Sequence, residues 1–283
     1  MGLPMARNLH RAGLLTAVHN RSPEKARALA DETGCEAARD LGSLARLCDA
    51  VVMCVPADED VLQVTEALTQ AWSGDGLVID CSTVKAETAR RAAALLTRCG
   101  AGFLDCPVSG GTEGARNATL AIMVGGEPVH FTKARPVLSA LGKSVELMGP
   151  TGAGQATKAV NQIMIAGINQ AVTESLAFAQ AEGLPLDKLI QIVGSGAAGN
   201  WFLEHRGPSM VRGEFPLGFK VTLHRKDLEI CQDMAAQHGV RLPTVEMTLT
   251  HYKRLLQQAV EDEDISSLFR LKAALFDKKA AAG

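Results

Sequence analysis

Residues 149–183 read GPTGAGQATKAVNQIMIAGINQAVTESLAFAQAEG and separate two parts of the chain that differ in pattern. The stretch opens with small residues and then runs for about eight turns without a proline. Gly183 and Pro185 close it, and such residues favour the end of a helix. We therefore predict one helix about 45 Å long. Its middle is apolar on nearly every side, which predicts that the helix is buried.

Lys158 lies within this apolar stretch, and Asn161 and Gln162 follow it by three and four residues. These offsets place the three side chains on one helix face. Burying an unpaired ammonium group is costly, so the lysine must either reach water or be held for a purpose. For the helix taken alone, a lysine that reaches solvent along a partly solvated stripe is the simpler interpretation.

The residues before the long helix alternate apolar strands with helices at a spacing of about 25 residues, which is typical of a doubly wound, mostly parallel sheet. This pattern predicts an α/β fold with a Rossmann-type domain. Ser22 is expected to cap the helix that Pro23 begins. The predicted strands are 14–19, 49–55, 76–80, 102–105, 120–124 and 145–148, and the main helices are 2–12, 58–71 and 87–99.

Ligands of such sheets bind beyond the carboxyl ends of the strands. Four clusters follow the predicted strands here, and their regularity favours a bound nucleotide cofactor over unrelated loops. A plain tight turn is the alternative for the serine and two glycines of the last cluster. The clusters are Asn20-Arg21-Ser22, Val55-Pro56, Ser82-Thr83 and Pro107-Val108-Ser109-Gly110-Gly111.

The residues after the long helix show helical spacing only, with short Gly and Pro breaks between segments. We therefore predict two domains, an α/β domain over residues 1–149 and an all-helical domain over residues 150–283 that includes the long helix. The last residues, 277–283, are expected to fray. The predicted later helices are 187–193, 201–212, 220–238, 244–259 and 265–275.

The composition excludes several classes of function. A net charge of −2 without a basic run argues against nucleic acid as a partner. No apolar run reaches the roughly 20 residues that span a membrane, and the first residues lack the apolar core of a signal peptide. The seven cysteines are never spaced as C-x-x-C, which fits a reducing cytoplasm, and the seven histidines form no ligand cluster, so no metal is expected.

Five collinear stretches resemble the β-hydroxyacid dehydrogenases, the group of 3-hydroxyisobutyrate dehydrogenase, tartronate semialdehyde reductase and the glyoxylate/succinic semialdehyde reductases. One such stretch would be weak evidence, but five in order span nearly the whole chain. They are Met1-Gly-Leu-Pro-Met-Ala-Arg-Asn-Leu9, Asp80-Cys-Ser-Thr83, Asp105-Cys-Pro-Val-Ser-Gly-Gly111 with Gly114-Ala115, Gly152-x-Gly154-x-x-x-Lys158-x-x-Asn161, and Phe219-x-x-x-Leu223-x-x-Lys226-Asp227-Leu228.

The resemblance implies a role for each matching position. Lys158 is similar to the catalytic lysine of the family, which protonates the substrate oxygen as hydride arrives. Asn161 and Gln162 resemble its hydrogen-bonding neighbours. Many members carry asparagine at the second of these positions, so which of the two contacts the substrate stays open. Ser109, Gly110 and Gly111 resemble a cradle for the substrate carboxylate, Ser82 and Thr83 lie near the nicotinamide or substrate, and Lys226 lies near the nicotinamide.

The choice of cofactor depends on the corner after the strand predicted at residues 14–19. NAD enzymes place Asp or Glu there, whereas this chain has Asn20, Arg21 and Ser22. Arginine and serine suit a 2′-phosphate, so we expect NADP(H) rather than NAD(H). The alternative is that Arg21 is only a solvated loop residue.

The chain departs from the family at its beginning. Members open with a strand and a G-x-G-x-x-G motif, and only the last glycine has a counterpart here, Gly2. We therefore expect Met1 and Gly2 at the edge of the pyrophosphate site and a native chain that starts about ten residues earlier, the usual length of such a strand and turn. In the present form, cofactor binding should be weak and the first domain less stable.

The function predicted from the resemblance is NADP(H)-dependent interconversion of a small β-hydroxyacid and its semialdehyde or oxo acid. A non-catalytic dinucleotide-binding protein on the same scaffold and an imine reductase are the alternatives. The expected partners are a small carboxylate substrate and further copies of the chain in a homodimer or homotetramer, without nucleic acid or membrane.

Overall fold

The computed structural model describes residues 1–72, 74–258 and 263–276. The chain forms two compact units, Met1–Lys158 and Ala159–Gly283. The division falls inside the long helix, nine residues after the predicted boundary between residues 149 and 150. The α/β character of the first unit and the helical character of the second confirm the predicted fold class.

The first unit alternates strands and helices, as the pattern of apolar runs predicts. The strands are β1 (Ala17–Val18), β2 (Glu36–Ala37), β3 (Ala50–Met53), β4 (Leu77–Asp80), β5 (Gly102–Asp105), β6 (Val108–Ser109), β7 (Leu120–Gly126) and β8 (Gly142–Gly149). The helices are α1 (Gly2–Arg11), α2 (Pro23–Thr33), α3 (Leu41–Leu47), α4 (Asp58–Thr69), α5 (Ala86–Thr97), α6 (Gly111–Asn117) and α7 (Pro128–Ser139).

The strands of the first unit lie in two sheets. β1 and β2 pair in parallel as a two-stranded sheet. In the six-stranded sheet, β3, β4 and β5 are parallel neighbours. β5 and β6 both run antiparallel to β7 with one unbroken register, from Leu104 opposite Gly126 to Ser109 opposite Ala121. β8 pairs in parallel with β7, so three of the strand pairings in this sheet are parallel and two are antiparallel.

Helices cover both faces of the larger sheet, so the interior strand β4 buries side chains on both sides. Leu77 and Ile79 of β4 belong to one apolar cluster, together with Met5 of α1. Val78, which points to the opposite face, belongs to a second cluster with Val61 of α4. All of these side chains are essentially inaccessible to solvent. Burial on both faces explains why this strand reads as a continuous apolar run.

Local signals set the beginnings of two early helices. Pro23 is the first residue of α2, as predicted, but the Ser22 side chain makes no capping hydrogen bond. Instead, Asn20 Oδ1 accepts a hydrogen bond from the Ser22 backbone N–H at 2.9 Å. At α3, the Asp40 side chain accepts a hydrogen bond from the Ser43 backbone N–H at 2.7 Å. Ser22 is therefore the N-cap residue of α2, as predicted, but its side chain does not cap the helix, and a neighbouring asparagine stabilises this turn.

The second unit contains helices connected by short loops. Its helices are α8 (Ala153–Ala181), which begins in the first unit, α9 (Leu186–Gly194), α10 (Trp201–Met210), α11 (Val221–Ala236), α12 (Pro243–Leu256) and α13 (Leu268–Ala274), with a 3₁₀ turn at Ile265–Ser267. Among residues 159–258 and 263–276, which the structure describes, one isolated bridge, from Lys220 to Asp264, is the only β pairing. Residue 259 of the helix predicted at 244–259 and residues 277–283 lie outside the described residues.

The long helix α8 contains 29 residues, in agreement with the predicted length. The prediction that it is buried on nearly every side is wrong for one face. Val160, Met164 and Phe178 are 57%, 61% and 52% exposed, respectively, in the single chain. Apolar residues on all sides of a helix do not show how much of its surface one chain can cover. None of the helices in the described part of the chain combines the length and apolarity needed to cross a membrane.

Candidate active site

Ser82 ties together the carboxyl ends of two neighbouring strands, β3 and β4. Its hydroxyl oxygen accepts a hydrogen bond from the backbone N–H of Val55 at 2.9 Å. Its own backbone N–H donates to Asp80 Oδ1 at 2.9 Å. Ser82 is buried, and Thr83 beside it is half-buried. The structure thus brings together two of the clusters that follow predicted strands.

Gln155 connects the first turn of α8 to the same loop. Its Nε2 donates to the carbonyl oxygen of Ser82 at 2.8 Å, and its Oε1 accepts from the backbone N–H of Val84 at 3.2 Å. The side chain is buried, so both bonds replace bonds to water. Sequence reasoning missed this residue, although it lies inside the quoted stretch that leads to Lys158.

Asp105 caps the first turn of α8 from the end of β5. Its Oδ1 accepts from the backbone N–H of Gly152 at 2.7 Å, and its Oδ2 accepts from that of Gln155 at 2.9 Å. The helix N-terminus leaves such N–H groups without intrahelical partners and favours a negative charge beside them. Asp105 belongs to a quoted motif, but the sequence indicated no role for it.

Lys158 lies one turn further along α8 and is 7% exposed. Its ammonium Nζ donates to the carbonyl oxygen of Val108 at 2.9 Å. Val108 directly precedes Ser109, so the amino group lies beside the serine–glycine cluster. This geometry contradicts the simpler interpretation of a lysine that reaches solvent along the helix.

The Ser109-Gly110-Gly111 cluster links β6 to α6. Ser109 is the last residue of β6, and Gly111 is the first residue of α6. The backbone φ angles of Gly110 and Gly111 are 126° and 61°, a region that residues with a Cβ rarely adopt. A tight turn and a carboxylate cradle both need this conformation, so the backbone is compatible with each interpretation.

Residues of the second unit form a hydrogen-bonded series around Gln162. Gln162 Nε2 donates to Asp227 Oδ2 at 2.7 Å, and Gln162 Oε1 accepts from Asn161 Nδ2 at 2.8 Å. Lys226 Nζ lies 3.3 Å from Asp227 Oδ1. An ionised carboxylate only accepts hydrogen bonds, so Asp227 determines which way the Gln162 amide faces. The amide of Gln162 therefore has protein partners on both sides.

Two family models match the chain. One, described as the NAD binding domain of 6-phosphogluconate dehydrogenase, matches residues 1–149. The other, described as NAD-binding of NADP-dependent 3-hydroxyisobutyrate dehydrogenase, matches residues 152–272. The two models together cover nearly the whole chain, with their boundary at the start of α8.

Relatives with a named activity show the same similarity over most of their length. The chain is 35% identical over 249 residues to 2-hydroxy-3-oxopropionate reductase of Escherichia coli, which covers 86% of this chain and 84% of that protein. It is 34% identical over 281 residues to NAD-dependent L-serine dehydrogenase of Pseudomonas aeruginosa, which covers 96% and 94%. The solved structure of 3-hydroxyisobutyrate dehydrogenase from Mycobacterium tuberculosis with L-serine has a TM-score of 0.87 at 30% identity, over 96% of this chain and 95% of that one.

The chain belongs to the β-hydroxyacid dehydrogenase family. It is an NAD(P)-dependent hydroxyacid dehydrogenase, since its named relatives are dehydrogenases and reductases of hydroxyacids. The resemblance stated from the five sequence stretches is thereby confirmed.

The predicted cofactor residues of this dehydrogenase lie in the first unit, apart from Lys226. Met1 precedes α1 and Gly2 is its first residue, and both are exposed. Arg21 follows β1, and its guanidinium Nη1 donates to Asp60 Oδ1 at 2.8 Å. Val55 and Pro56 lie between β3 and α4. Arg21, Val55 and Pro56 fit a dinucleotide in one respect, because they follow the carboxyl ends of strands that pair in parallel, whereas no strand precedes Met1 and Gly2 in this chain. Their individual roles stay predictions.

Two buried carboxyl groups lie side by side in the dehydrogenase, because Asp80 and Asp105 are register partners in β4 and β5. Burial raises the pKa of Asp80 to about 7, and the charge of Asp105 contributes in the same direction. Asp80 Oδ2 is buried without a hydrogen-bond partner. Burial also raises the pKa of Asp105, whereas the hydrogen bonds from the backbone N–H groups of Gly152 and Gln155 lower it. The hydrogen bonds therefore favour Asp105 as the ionised member and Asp80 as the protonated one.

Proposed function

We propose that this chain interconverts a small β-hydroxyacid and its semialdehyde or oxo acid with NADP(H), and that Lys158 is the general acid–base. The observation that supports this proposal best is the ammonium group of Lys158. It is 7% exposed, and it is held 2.9 Å from the carbonyl oxygen of Val108, beside Ser109.

The chemistry of reduction explains why a held lysine is suitable. A bound nicotinamide supplies the hydride, and negative charge then develops on the carbonyl oxygen of the substrate. A positioned N–H donor stabilises that charge and transfers a proton to the oxygen. In the oxidation direction, the neutral amine accepts the proton of the substrate hydroxyl. The hydrogen bond to Val108 orients the amino group before either step.

The substrate carboxylate is proposed to bind at Ser109, Gly110 and Gly111. Glycines without a Cβ let backbone N–H groups approach an anion closely, and the serine hydroxyl can donate as well. The named relatives support this class of substrate. 2-Hydroxy-3-oxopropionate and L-serine, named for three of them, each carry a carboxylate within three carbons of an alcohol or carbonyl group.

The hydrogen bonds of the second unit favour Asn161 over Gln162 as the substrate contact. Gln162 is 1% exposed, and its amide already has Asp227 and Asn161 as partners. Asn161 is half-buried and follows Lys158 by three residues in α8. We therefore propose that Asn161 contacts the substrate and that Gln162 orients the amide of Asn161.

NADP(H) is proposed as the preferred cofactor because Arg21, rather than a carboxylate, follows β1. The pairing with Asp60 holds the guanidinium at this corner, while 76% of the Arg21 side chain stays exposed. A guanidinium can bind a 2′-phosphate through two parallel hydrogen bonds. One matching family model describes an NADP-dependent enzyme, whereas the P. aeruginosa relative is NAD-dependent.

The proposed assembly is a homodimer or homotetramer. Val160, Met164 and Phe178 recur along one face of α8 and leave an apolar stripe on the single chain. A second copy of the same stripe would remove this surface from water, as is usual for self-complementary interfaces.

A turnover panel tests the function directly. NADPH absorbance is followed with glyoxylate, succinic semialdehyde and tartronate semialdehyde, and with a ketone plus an amine as the imine reductase arm. We expect turnover with at least one of the three acids and none with the ketone and amine. NADPH binding by fluorescence without turnover of any acid would favour the non-catalytic binding protein instead.

A further inference from the structure

Asp105 uses both of its carboxylate oxygens to hold the first turn of α8. Gly152 N–H donates to Oδ1 and Gln155 N–H donates to Oδ2, at 2.7 and 2.9 Å. The residue is fully buried. We propose that Asp105 is a positioning residue that sets the place of the Lys158 amino group. This inference depends on the proposed role of Lys158 as the proton donor.

A single segment of chain holds the lysine at two points. The Asp105 carboxylate fixes the first turn of α8, and the Val108 carbonyl oxygen, three residues on, accepts the hydrogen bond from Lys158 Nζ. This segment is itself fixed, because β5 and β6 keep one register against β7 and Met123 N–H donates to Pro107 O at 3.1 Å. The positions of the helix and of the amino group are therefore set by the same segment, residues 105–108.

Two glycines leave room for this cap. A Cβ on Gly154 would lie 2.4 Å from the carbonyl oxygen of Met123 and 2.8 Å from Asp105 Oδ2. A Cβ on Gly125 would lie 2.5 Å from Asp105 Oδ1 and 2.7 Å from the backbone nitrogen of Gly154. All four distances are too short for real Cβ contacts, so only glycine at these two positions lets the helix N-terminus approach the carboxylate. The glycines before Lys158 thus serve the packing of the helix against the sheet.

The geometry requires a carboxylate and not merely a polar side chain of the same shape. An asparagine has one acceptor oxygen, and its NH₂ group would face one of the two backbone N–H donors. Asp40, the cap of α3, provides the contrast, because its Oδ1 accepts from both the backbone N–H and the hydroxyl of Ser43, and its Oδ2 accepts only from the exposed side chain of Arg39, outside the helix. Asparagine caps helices as well as aspartate when one oxygen suffices. Asp40→Asn is therefore a matched control for Asp105→Asn.

The first measurement compares the steady-state kinetics of these two variants on the acid that the wild-type protein reduces. We expect Asp105→Asn to lower kcat about 10- to 100-fold, as misplacement of a catalytic group does, while NADPH binding changes less than about threefold. Asp40→Asn should leave kcat unchanged. Equal kcat in Asp105→Asn and wild type would overturn the inference, and so would an equal loss in both variants.

A double-mutant cycle separates positioning from general structural damage. If Asp105 acts through Lys158, adding Asp105→Asn to Lys158→Met should cause no further loss of residual turnover. A multiplied loss would show that Asp105 acts by another route. Gly154→Ala displaces the same turn by a different substitution. It should lower kcat by itself as Asp105→Asn does, and it should cause no further loss when it is added to Lys158→Met. It replaces Asp105→Asn if that variant does not fold.

A labelling experiment tests the inference without turnover. Brief treatment with acetic anhydride and peptide mapping give the acylation rate of Lys158 relative to the exposed Lys143 of the same unit. We expect this ratio to rise several-fold in Asp105→Asn and to stay at the wild-type value in Asp40→Asn. An unchanged ratio in Asp105→Asn would overturn the positioning role. Absence of turnover in the wild type, with the ratio raised as expected, would contradict the proposed function and leave the positioning role supported.

Discussion

Asp80→Asn should remove a pH dependence from the stability of the first unit. Asp80 is 0% exposed, one of its oxygens has no hydrogen-bond partner, and its pKa is raised from 3.8 to about 7, first by burial. A carboxyl group with a raised pKa favours the folded state at low pH, where it is protonated in both states. That contribution is lost as pH rises from the unfolded pKa through the folded one.

The magnitude follows from the shift. Each pKa unit corresponds to about 1.4 kcal/mol, so the full shift of about three units amounts to roughly 4 kcal/mol. The interval from pH 5 to the folded pKa of about 7 covers about two pH units. Between pH 5 and pH 8, the free energy of unfolding of the wild type should therefore fall by roughly 3 kcal/mol relative to that of Asp80→Asn. Asparagine cannot ionise, so its contribution to the free energy of unfolding should be flat over this range.

The assay must report on the first unit alone. Trp72 lies in that unit and donates its indole N–H to the carbonyl oxygen of Ala45 at 2.7 Å, whereas Trp201, the other tryptophan, lies in the second. Denaturant unfolding is therefore followed by Trp72 fluorescence in a Trp201→Phe background at pH 5 and pH 8. Asp31→Asn, at an exposed position of α2, is the control and should parallel the wild type. The reasoning is refuted if the curves of wild type and Asp80→Asn shift equally with pH.

Three further predictions concern the proposed function. Lys158→Met should reduce turnover in stopped-flow kinetics by at least about 100-fold, while NADPH binding in fluorescence titration stays nearly intact. Similar losses of turnover and of NADPH affinity would mark the lysine as structural. Arg21→Ala should weaken the binding of NADPH, but not of NADH, by about tenfold at low salt. The control Arg39→Ala should change neither affinity. An unchanged NADPH affinity in Arg21→Ala would contradict the 2′-phosphate assignment. Met164→Glu should shift the chain towards monomer in sedimentation velocity, while Val129→Glu, at an exposed position of α7, should not. An unchanged mass for Met164→Glu would exclude the α8 stripe from the interface.

The fold class was predictable because it depends on local sequence patterns. The small residues at 149–154 and Gly183 bracket a proline-free stretch, and the helix α8 spans nearly that length. Apolar runs such as 76–80 became strands because a strand buried on both faces needs no polar alternation. Two-residue strands, β2 and β6, carry no such run, and their pairing comes from the strands beside them.

The capping geometry at α8 was not predictable from the sequence. Asp105 and Gly152 are 47 residues apart in the chain, and Gln155 and Ser82 are 73 apart. Neither separation has a periodic signature, so only the folded sheet shows that these groups meet. The same applies to Gly154, whose necessity depends on the carbonyl oxygen of Met123 from β7.

The sequence by itself determined the α/β and helical halves, the long helix between them and the family, through motifs whose spacing is local. Only the tertiary structure decided that Lys158 is held by Val108 rather than by solvent, and that one face of α8 stays exposed. The physical reason is that burial and hydrogen-bond partners are properties of surfaces that come from distant segments. A helix with apolar residues on every side is compatible with either outcome until those segments pack against it.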